Sequence, residues 1–99
     1  MSSPVRAVAH PIPRALVGWS LRGLDLSRLD LEGVHLTRVD LTHADLTCSN
    51  LRGSVLTDCR LRGAVLSGVD LTGSWLRGCD LRQARCVGMS VRDVRLWGC

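Results

Sequence analysis

The most informative absence in this sequence of 99 residues is that of a long apolar run. No stretch approaches the ~20 apolar residues that cross a bilayer as a helix, so we expect no membrane-spanning segment. The first residues, Met1–Arg6, also lack the apolar core of a secretory signal peptide. Both absences favour a cytoplasmic location.

Lysine and most aromatic residues are missing as well. All 13 basic side chains are arginine, a bias that we interpret as the mark of a GC-rich, bacterial genome. Three Trp are the only aromatic residues, which leaves few of the stacking platforms that single-stranded nucleic acids favour. Direct binding of nucleic acid is therefore not expected, although the formal net charge is +4.

What the sequence has instead is an internal repeat of five residues. Leucine recurs at every fifth position from Leu16 to Leu81, and Cys86, Val91 and Leu96 continue this phase. The residue two positions before each of these is mostly small or apolar, and all 10 glycines fall two positions after. Each unit therefore carries two apolar positions and one turn position.

A period of five matches neither regular element. On an α-helix, five residues rotate by ~500°, so the leucines would spread around the helix axis. On a straight strand, an odd spacing would place successive leucines on opposite faces. The leucines can all be buried only if the chain turns a corner in each unit. The repeat therefore predicts a coiled chain in which neighbouring coils cover each other.

The glycine phase indicates where the corners lie. A type II turn needs a positive φ at its second central residue, which glycine adopts without steric cost. Glycine is missing from this phase at Arg28, Arg38, Asp58 and Gln83. At these corners we expect type I or irregular turns.

Individual units carry a family resemblance. Ala44–Cys48 reads ADLTC, Ser49–Gly53 reads SNLRG and Val69–Gly73 reads VDLTG. These units resemble the A(D/N)LXX signature of the pentapeptide repeat family. The resemblance implies an all-β fold, a right-handed quadrilateral β-helix with four pentapeptides per coil. In such a coil the central leucine and the residue two positions earlier point inward.

A coil of 20 residues is supported by the sequence itself, since Cys59, Cys79 and Cys99 recur at that interval. About four such coils fit into residues 14–99, which we assign to the β-helix. Residues 1–13 fall outside the repeat and contain all three prolines. We assign this segment to an N-terminal cap, because an uncovered first coil would expose its core and its backbone groups.

No catalytic or metal-binding constellation is recognisable, and we expect neither an enzyme nor a bound cofactor. The histidines are scattered, and no glycine is followed by the Lys-Ser/Thr of a phosphate-binding loop. Five cysteines, an odd number, argue against a disulfide framework. The inward phases of the repeat hold Cys59, Cys79, Cys86 and Cys99, where a thiol acts as a small apolar core residue. A metal site is not expected, because a ladder of thiols converges poorly on a tetrahedral ion. Cys48 lies at an outward corner and is the expected reactive thiol.

Grouping the units by fours gives four faces with different outward residues. The face that contains Leu16 is unusually apolar for a surface, and exposed aromatics on a rigid surface mark interaction sites. We therefore expect a non-enzymatic scaffold or adaptor whose partner protein binds to this face. The predicted partner-binding residues are Val55, Trp75, Arg77, Arg95 and Trp97.

A second hypothesis comes from the resemblance. Some pentapeptide repeat proteins bind DNA gyrase or topoisomerase IV as mimics of duplex DNA and protect them against quinolones. An acidic edge of Asp25, Asp30, Asp45 and Asp70 would support such mimicry, whereas the net charge of +4 does not. Gyrase or topoisomerase is therefore the less favoured partner.

A third hypothesis concerns the C-terminal end. Trp97, Gly98 and Cys99 could be offered to a modifying enzyme, which would make the protein a carrier or substrate. The inward phases also continue to Leu96 and Cys99, so the apolar end of the stack requires a cover. A homodimer that stacks C-terminal coil on C-terminal coil is one solution, and a different protein on the same end is the other.

Overall fold

A computed structural model describes residues 13–98, in which the chain coils into a stack with one short strand per coil. The strands are β1 (Ala15–Val17), β2 (His35–Thr37), β3 (Val55–Thr57), β4 (Trp75–Arg77) and β5 (Arg95–Trp97). They form one parallel sheet in the order β1-β2-β3-β4-β5. Each strand pairs with the next at an offset of 20 residues, as Leu16 does with Leu36.

Three further sides of each coil are joined to the next coil by single parallel bridges. In the first coil these bridges join Ser20 to Asp40, Asp25 to Asp45 and Asp30 to Asn50. Together with the strands they give four pairing positions per coil, which confirms the predicted four-sided β-helix. Most of the predicted cap, residues 1–12, lies outside the described residues. Within residues 13–98, no helix is long and apolar enough to cross a membrane.

The core is a narrow column of leucines with smaller residues beside it. Every leucine of the repeat phase from Leu16 to Leu76 is buried, with at most 7% of its surface exposed. The second inward phase is filled by Val, Ala, Cys and Ser, of which Cys59 and Cys79 are 1% and 2% exposed. The pattern of two inward residues per unit is therefore confirmed for the central coils.

The corners that lack glycine do not form type I turns. The φ angles of Arg28, Arg38, Asp58 and Gln83 are 59°, 52°, 54° and 62°, so the expectation of type I or irregular turns at these corners was wrong. These values lie in the left-handed region that glycine adopts at the other corners. Every corner from Gly18 to Gly98 has a positive φ, so the regular coil holds the same corner conformation whichever residue is there. Non-glycine residues adopt it despite the steric cost.

Several glycines also provide space for the corner residue of the preceding coil. A Cβ atom added to Gly63 would overlap the imidazole ring of His43. A Cβ atom on Gly68 would lie 2.9 Å from Sγ of Cys48. By contrast, a Cβ atom on Gly53 would have no neighbour within 4 Å. Glycine is thus required for two separable reasons, its conformation and its lack of a side chain.

Substitution of Gly53 and Gly63 by alanine separates these two reasons, because their φ angles are nearly equal at 64° and 66°. We expect Gly53→Ala to lower the free energy of unfolding by about 1–2 kcal/mol, the cost of a left-handed alanine. Gly63→Ala should lower it further, since its methyl group meets the His43 ring. Chemical denaturation of both variants, with and without His43→Ala, measures the difference. Equal costs, or an excess that persists without the imidazole, would contradict the contact.

The hydroxyl groups of two buried serines in the second inward phase have no hydrogen-bond partner within residues 13–98. The hydroxyl groups of Ser54 and Ser74 are fully buried and unpaired, whereas the hydroxyl of Ser49 donates to the carbonyl of Leu46 at 2.6 Å. A buried unpaired hydroxyl costs free energy that an apolar side chain of similar size does not. Ser54 and Ser74 therefore fill space in the core at a cost in stability.

Alanine substitutions should consequently have opposite effects at Ser54 and Ser49. We expect Ser54→Ala to raise the free energy of unfolding by about 1 kcal/mol, because it removes an unpaired hydroxyl. Ser49→Ala should lower the free energy of unfolding by a similar amount, because it removes a satisfied hydrogen bond. Urea unfolding followed by far-UV circular dichroism measures both. Destabilisation of equal size at the two positions would show that the Ser54 hydroxyl has a partner.

Candidate functional site

Trp75 lies at the start of β4 on the outer surface of the sheet. It is flanked in register by Val55 of β3 and Arg95 of β5, and 43% of its surface is exposed. The guanidinium of Arg95 lies over the indole ring, 5.3 Å from its centroid, which is within the range of a cation–π interaction. The sheet thus holds an aromatic ring and a cation together at the surface.

A groove runs beside this ring, and its walls come from two neighbouring strands. Val55 and Thr57 of β3 and Trp75 and Arg77 of β4 line about 550 Å³ of space. Side chains alternate along a strand, so the residues on either side of a buried leucine both point outward. We refer to Val55, Thr57, Trp75, Arg77 and Arg95 as the Trp75 surface.

The structure therefore brings four of the five predicted partner-binding residues together. Val55, Trp75 and Arg77 line one groove, and Arg95 contacts the Trp75 ring. The fifth, Trp97, is placed by its backbone beside Arg77 in the register of β5. The structure describes the backbone of Trp97 but not its side chain. Thr57, which also lines the groove, was not singled out from the sequence, although its place in the repeat could have identified it.

The Trp75 surface carries positive charge that no ion pair within residues 13–98 compensates. None of the residues of β1–β5 is Asp or Glu. Among residues 13–98 the ion pairs are Arg22–Asp40, Arg52–Asp70 and Arg82–Asp80, so neither Arg77 nor Arg95 is paired with a carboxylate there. The surface is therefore both apolar and cationic.

The predicted acidic edge is less continuous than the sequence suggested. Asp25 pairs with Asp45 in one column, but this column continues to Val65 and Arg85. Asp30 and Asp70 lie in the neighbouring column and are separated by Asn50. Asp70 also forms an ion pair with Arg52 at 3.3 Å. The four carboxylates thus form two short groups in columns that turn neutral or basic towards the C-terminal coils.

These carboxylates also have a local structural role that was missed in the sequence. Asp25 accepts hydrogen bonds from the backbone N–H of Ser27 at 3.1 Å and from its hydroxyl at 2.6 Å. Asp70 accepts the corresponding bonds from Thr72, and Asp45 accepts them from Thr47. The sequence signal for this role is Asp-Leu-Ser/Thr. The carboxylate fixes the turn that follows because it accepts hydrogen bonds from the residue two positions later. Asp at this position therefore stabilises the fold whether or not it binds a partner.

Hydrogen bonds hold the pKa of the carboxyl groups of Asp25, Asp70 and Asp80 below the usual range. The hydroxyl of Ser27 is the main cause of the lowered pKa of Asp25, and the hydroxyl of Thr72 is the main cause for Asp70. Arg82 donates to both carboxylate oxygens of Asp80, at 3.0 and 2.8 Å, and lowers the pKa of Asp80 to about 2. These groups favour the folded state only when they are ionised.

The side of the coil next to the Trp75 surface is polar and rich in arginine. Its charges are partly paired, with Arg22 3.7 Å from Asp40 of the next coil and Arg82 2.8 Å from Asp80. In the first pair, opposite charges one coil apart meet on this side. Both pairs are exposed, so their contribution to stability is small.

The four cysteines within residues 13–98 follow the predicted phases, but they differ in burial. Cys99, which was also predicted to point inward, lies outside the described residues. Cys59 and Cys79 are buried, and each thiol lies near a backbone carbonyl, at 3.3 Å from Leu36 and 3.4 Å from Leu56. Cys48 is exposed at its corner, as predicted. Cys86 was expected to be buried and is exposed, because no coil within residues 13–98 lies over it. Among the described residues, no group of three or more His, Cys, Asp or Glu could hold a metal ion.

Comparison with known proteins identifies the family. The model for pentapeptide repeats matches residues 20–58, 44–83 and 59–98, with eight copies of the repeat. Because these matches span most of the sequence, the chain belongs to the pentapeptide repeat family. Members of this family are generally non-enzymatic structural or interaction proteins. None of the curated proteins compared matches the sequence.

Solved structures of pentapeptide repeat proteins are similar to this chain in part. Rfr23 from the cyanobacterium Cyanothece 51142 is 20% identical, with a TM-score of 0.36 and coverage of 84% of this chain and 91% of Rfr23. HetL, involved in heterocyst differentiation regulation in the cyanobacterium Nostoc sp. strain PCC 7120, is 27% identical with a TM-score of 0.41. The match covers 82% of this chain and only 50% of HetL.

A trypsin-treated form of QnrB1, a plasmid-mediated fluoroquinolone resistance protein, is also similar. It is 19% identical with a TM-score of 0.35, and the match covers 81% of this chain and 68% of QnrB1. With TM-scores this low, none of these similarities bears on the function of the present chain.

The lowered pKa of Asp80 predicts a loss of stability in acid. The folded pKa of about 2 lies below the reference value of 3.8, so between these values the unfolded chain binds a proton that the folded chain does not. The free energy of unfolding should therefore fall as the pH is lowered through this window. Both Asp80→Asn and Arg82→Gln should flatten the dependence, because each removes the hydrogen-bonded pair. Denaturation at a series of pH values tests this, and an unchanged slope in both variants would contradict it.

Proposed function

We propose that this protein is a non-enzymatic scaffold or adaptor that binds a partner protein through the Trp75 surface. The observation that carries the proposal is an exposed tryptophan beside a groove on a rigid sheet, flanked by two arginines without acidic partners. Trp and Arg are the residues most often found to dominate the binding energy of protein interfaces. A surface built from backbone-paired strands is also preorganised, so little entropy is lost on binding.

Mimicry of duplex DNA, with gyrase or topoisomerase as the partner, is the second candidate. It is favoured by the adjacent carboxylates of Asp25 and Asp45. A DNA mimic, however, must present a long row of negative charge to a basic groove. Here the same column ends at Arg85, and Asp70 is paired with Arg52. The acidic edge therefore supports mimicry less well than the Trp75 surface supports protein binding.

The C-terminal end of the core supports a homodimer as an additional feature of the proposed adaptor. Leu81, Met89 and Val94 are only partly buried, and Val91 and Leu96 are 54% and 57% exposed. These side chains line an apolar cavity of about 330 Å³ at the end of the leucine column. Stacking of a second copy on this end would remove this apolar surface from water.

Photo-crosslinking from defined positions tests the proposed function. A photoreactive amino acid is placed at Val55, at Glu32 beside the acidic edge, or at Val91 at the C-terminal end, in protein produced in its native cells. We expect position 55 to give a discrete adduct with a larger protein, because it lies in the groove. Trp75→Ala should remove this adduct, whereas Arg92→Gln, on another side of the coil, should leave it unchanged.

The same experiment distinguishes the alternatives. An adduct with a gyrase or topoisomerase subunit from position 32, without one from position 55, would replace the proposal by DNA mimicry. An adduct of the chain with itself from position 91 would support the homodimer. A yield from position 55 no higher than that from position 32, or insensitive to Trp75→Ala, would contradict binding through the Trp75 surface.

A further inference from the structure

We propose that the partner of the Trp75 surface presents an extended acidic segment, with an apolar residue and a carboxylate two positions apart. This inference rests on the proposed function and specifies the chemistry of the bound segment. It combines three features of the surface: its charge, the position of its groove and the spacing of its outward columns.

The charge of the surface selects an acidic segment. Arg77 and Arg95 are exposed and have no carboxylate partner among residues 13–98. The nearby corner residue Asp58 lies against Gly78 and forms no ion pair within the same residues. Two arginines without acids attract carboxylates and repel basic segments, which sets specificity more than affinity.

The cation–π contact prepares Arg95 to bind a carboxylate of the partner. Its guanidinium lies over the Trp75 ring. The guanidinium hydrogen bonds and ion pairs within residues 13–98 belong to other arginines. The contact restricts a flexible side chain before binding, so less conformational entropy is lost when a carboxylate binds. A planar guanidinium can then donate two parallel N–H bonds to that carboxylate.

The groove selects an apolar residue next to the acid. Val55 and Trp75 form its apolar wall in one column of the sheet, while Thr57 and Arg77 form the other wall two residues further along their strands. A leucine or isoleucine side chain placed against Val55 and Trp75 would bury apolar area on both sides of the contact. The neighbouring wall then offers Arg77 to the next side chain that points the same way.

The spacing of the columns fixes the pattern of the segment. Residues two apart on a strand point to the same face and lie ~6.6–6.8 Å from each other. The column of Val55 and Trp75 is two residues from the column of Thr57 and Arg77. An extended segment that follows the strand direction therefore places residues i and i+2 over these two columns. An apolar residue against the groove wall of Val55 and Trp75, followed by a carboxylate beside Arg77, meets both requirements.

Synthetic peptides test this pattern on the whole chain of 99 residues. The probe is Ac-GSLSESLSEG-NH2, in which Leu and Glu alternate at every second position, so the pattern is the same in both directions. The first control, Ac-GSLESSLESG-NH2, has the same composition but places Leu and Glu on opposite faces of an extended chain. Two further controls replace both Glu of the probe with Gln or with Lys. Binding is measured by NMR titration of the three Trp indole N–H signals, assigned with Trp75→Phe.

We expect the probe to shift the Trp75 signal saturably and to bind about threefold or more tighter than each control, the scale of exposed charge pairs. Arg77→Gln should weaken binding of the probe towards the level of the Gln control. Arg92→Gln, which makes the same change in net charge on another side of the coil, should not. Circular dichroism of both variants verifies that the β-helix is intact.

Other outcomes would overturn this inference. Equal binding of the probe and the Gln or Lys control would show that the segment is not acidic, and equal binding of the rearranged peptide would refute the i, i+2 spacing. Tighter binding of a single-stranded oligothymidine would assign the Trp and Arg side chains to nucleic acid. A probe that produces no shift of the Trp75 signal would also refute it. In each case the crosslinking yield from position 55 decides separately whether a protein binds at this surface.

Discussion

Backbone hydrogen bonds between successive coils are the interaction on which the rest of the structure depends. The N–H of Leu21 donates to the carbonyl of Asp40 at 2.7 Å, and the N–H of Asp40 donates to the carbonyl of Trp19 at 2.9 Å. Equivalent bonds recur at the corresponding positions of the later coils. They hold an offset of 20 residues on all four sides, and they stack each turn position on its own counterpart. The leucine column and the corner glycines follow from this single register.

The same register assigns surface chemistry to columns rather than to local segments. Residues that are distant in the sequence, such as Val55, Trp75 and Arg95, become neighbours because they occupy one column. Acidic residues lie in other columns, where Asp-Leu-Ser/Thr units use them to fix turns. One face of the sheet can therefore be apolar and cationic, although acidic residues lie elsewhere in the same coils. Binding chemistry and turn chemistry are separated by position within the repeat.

Much of the fold could be predicted from the sequence, because a period of five with two inward positions has few physical solutions. The turns at Arg28 and Asp58 could not, since intrinsic turn preferences favour glycine for a positive φ and the coil overrides them. The exposure of Cys86 escaped prediction because the phase of a residue does not tell whether another coil covers it. At the candidate site, the column of Trp75 was predictable from spacing, whereas its contact with Arg95 depends on side-chain conformation.

The 20-residue register also determines how a chain of this kind can change in length. Loss or gain of one pentapeptide between β3 and β4 would rotate every later unit by one side. Trp75 would then leave the column of Val55, and Arg77 would leave the column of Thr57. Loss or gain of a whole coil would instead preserve each column and only shorten or lengthen it. Insertions that keep a binding surface intact should therefore come in multiples of four repeats. A stack that grows by whole coils therefore keeps the outward residues of each side on that side.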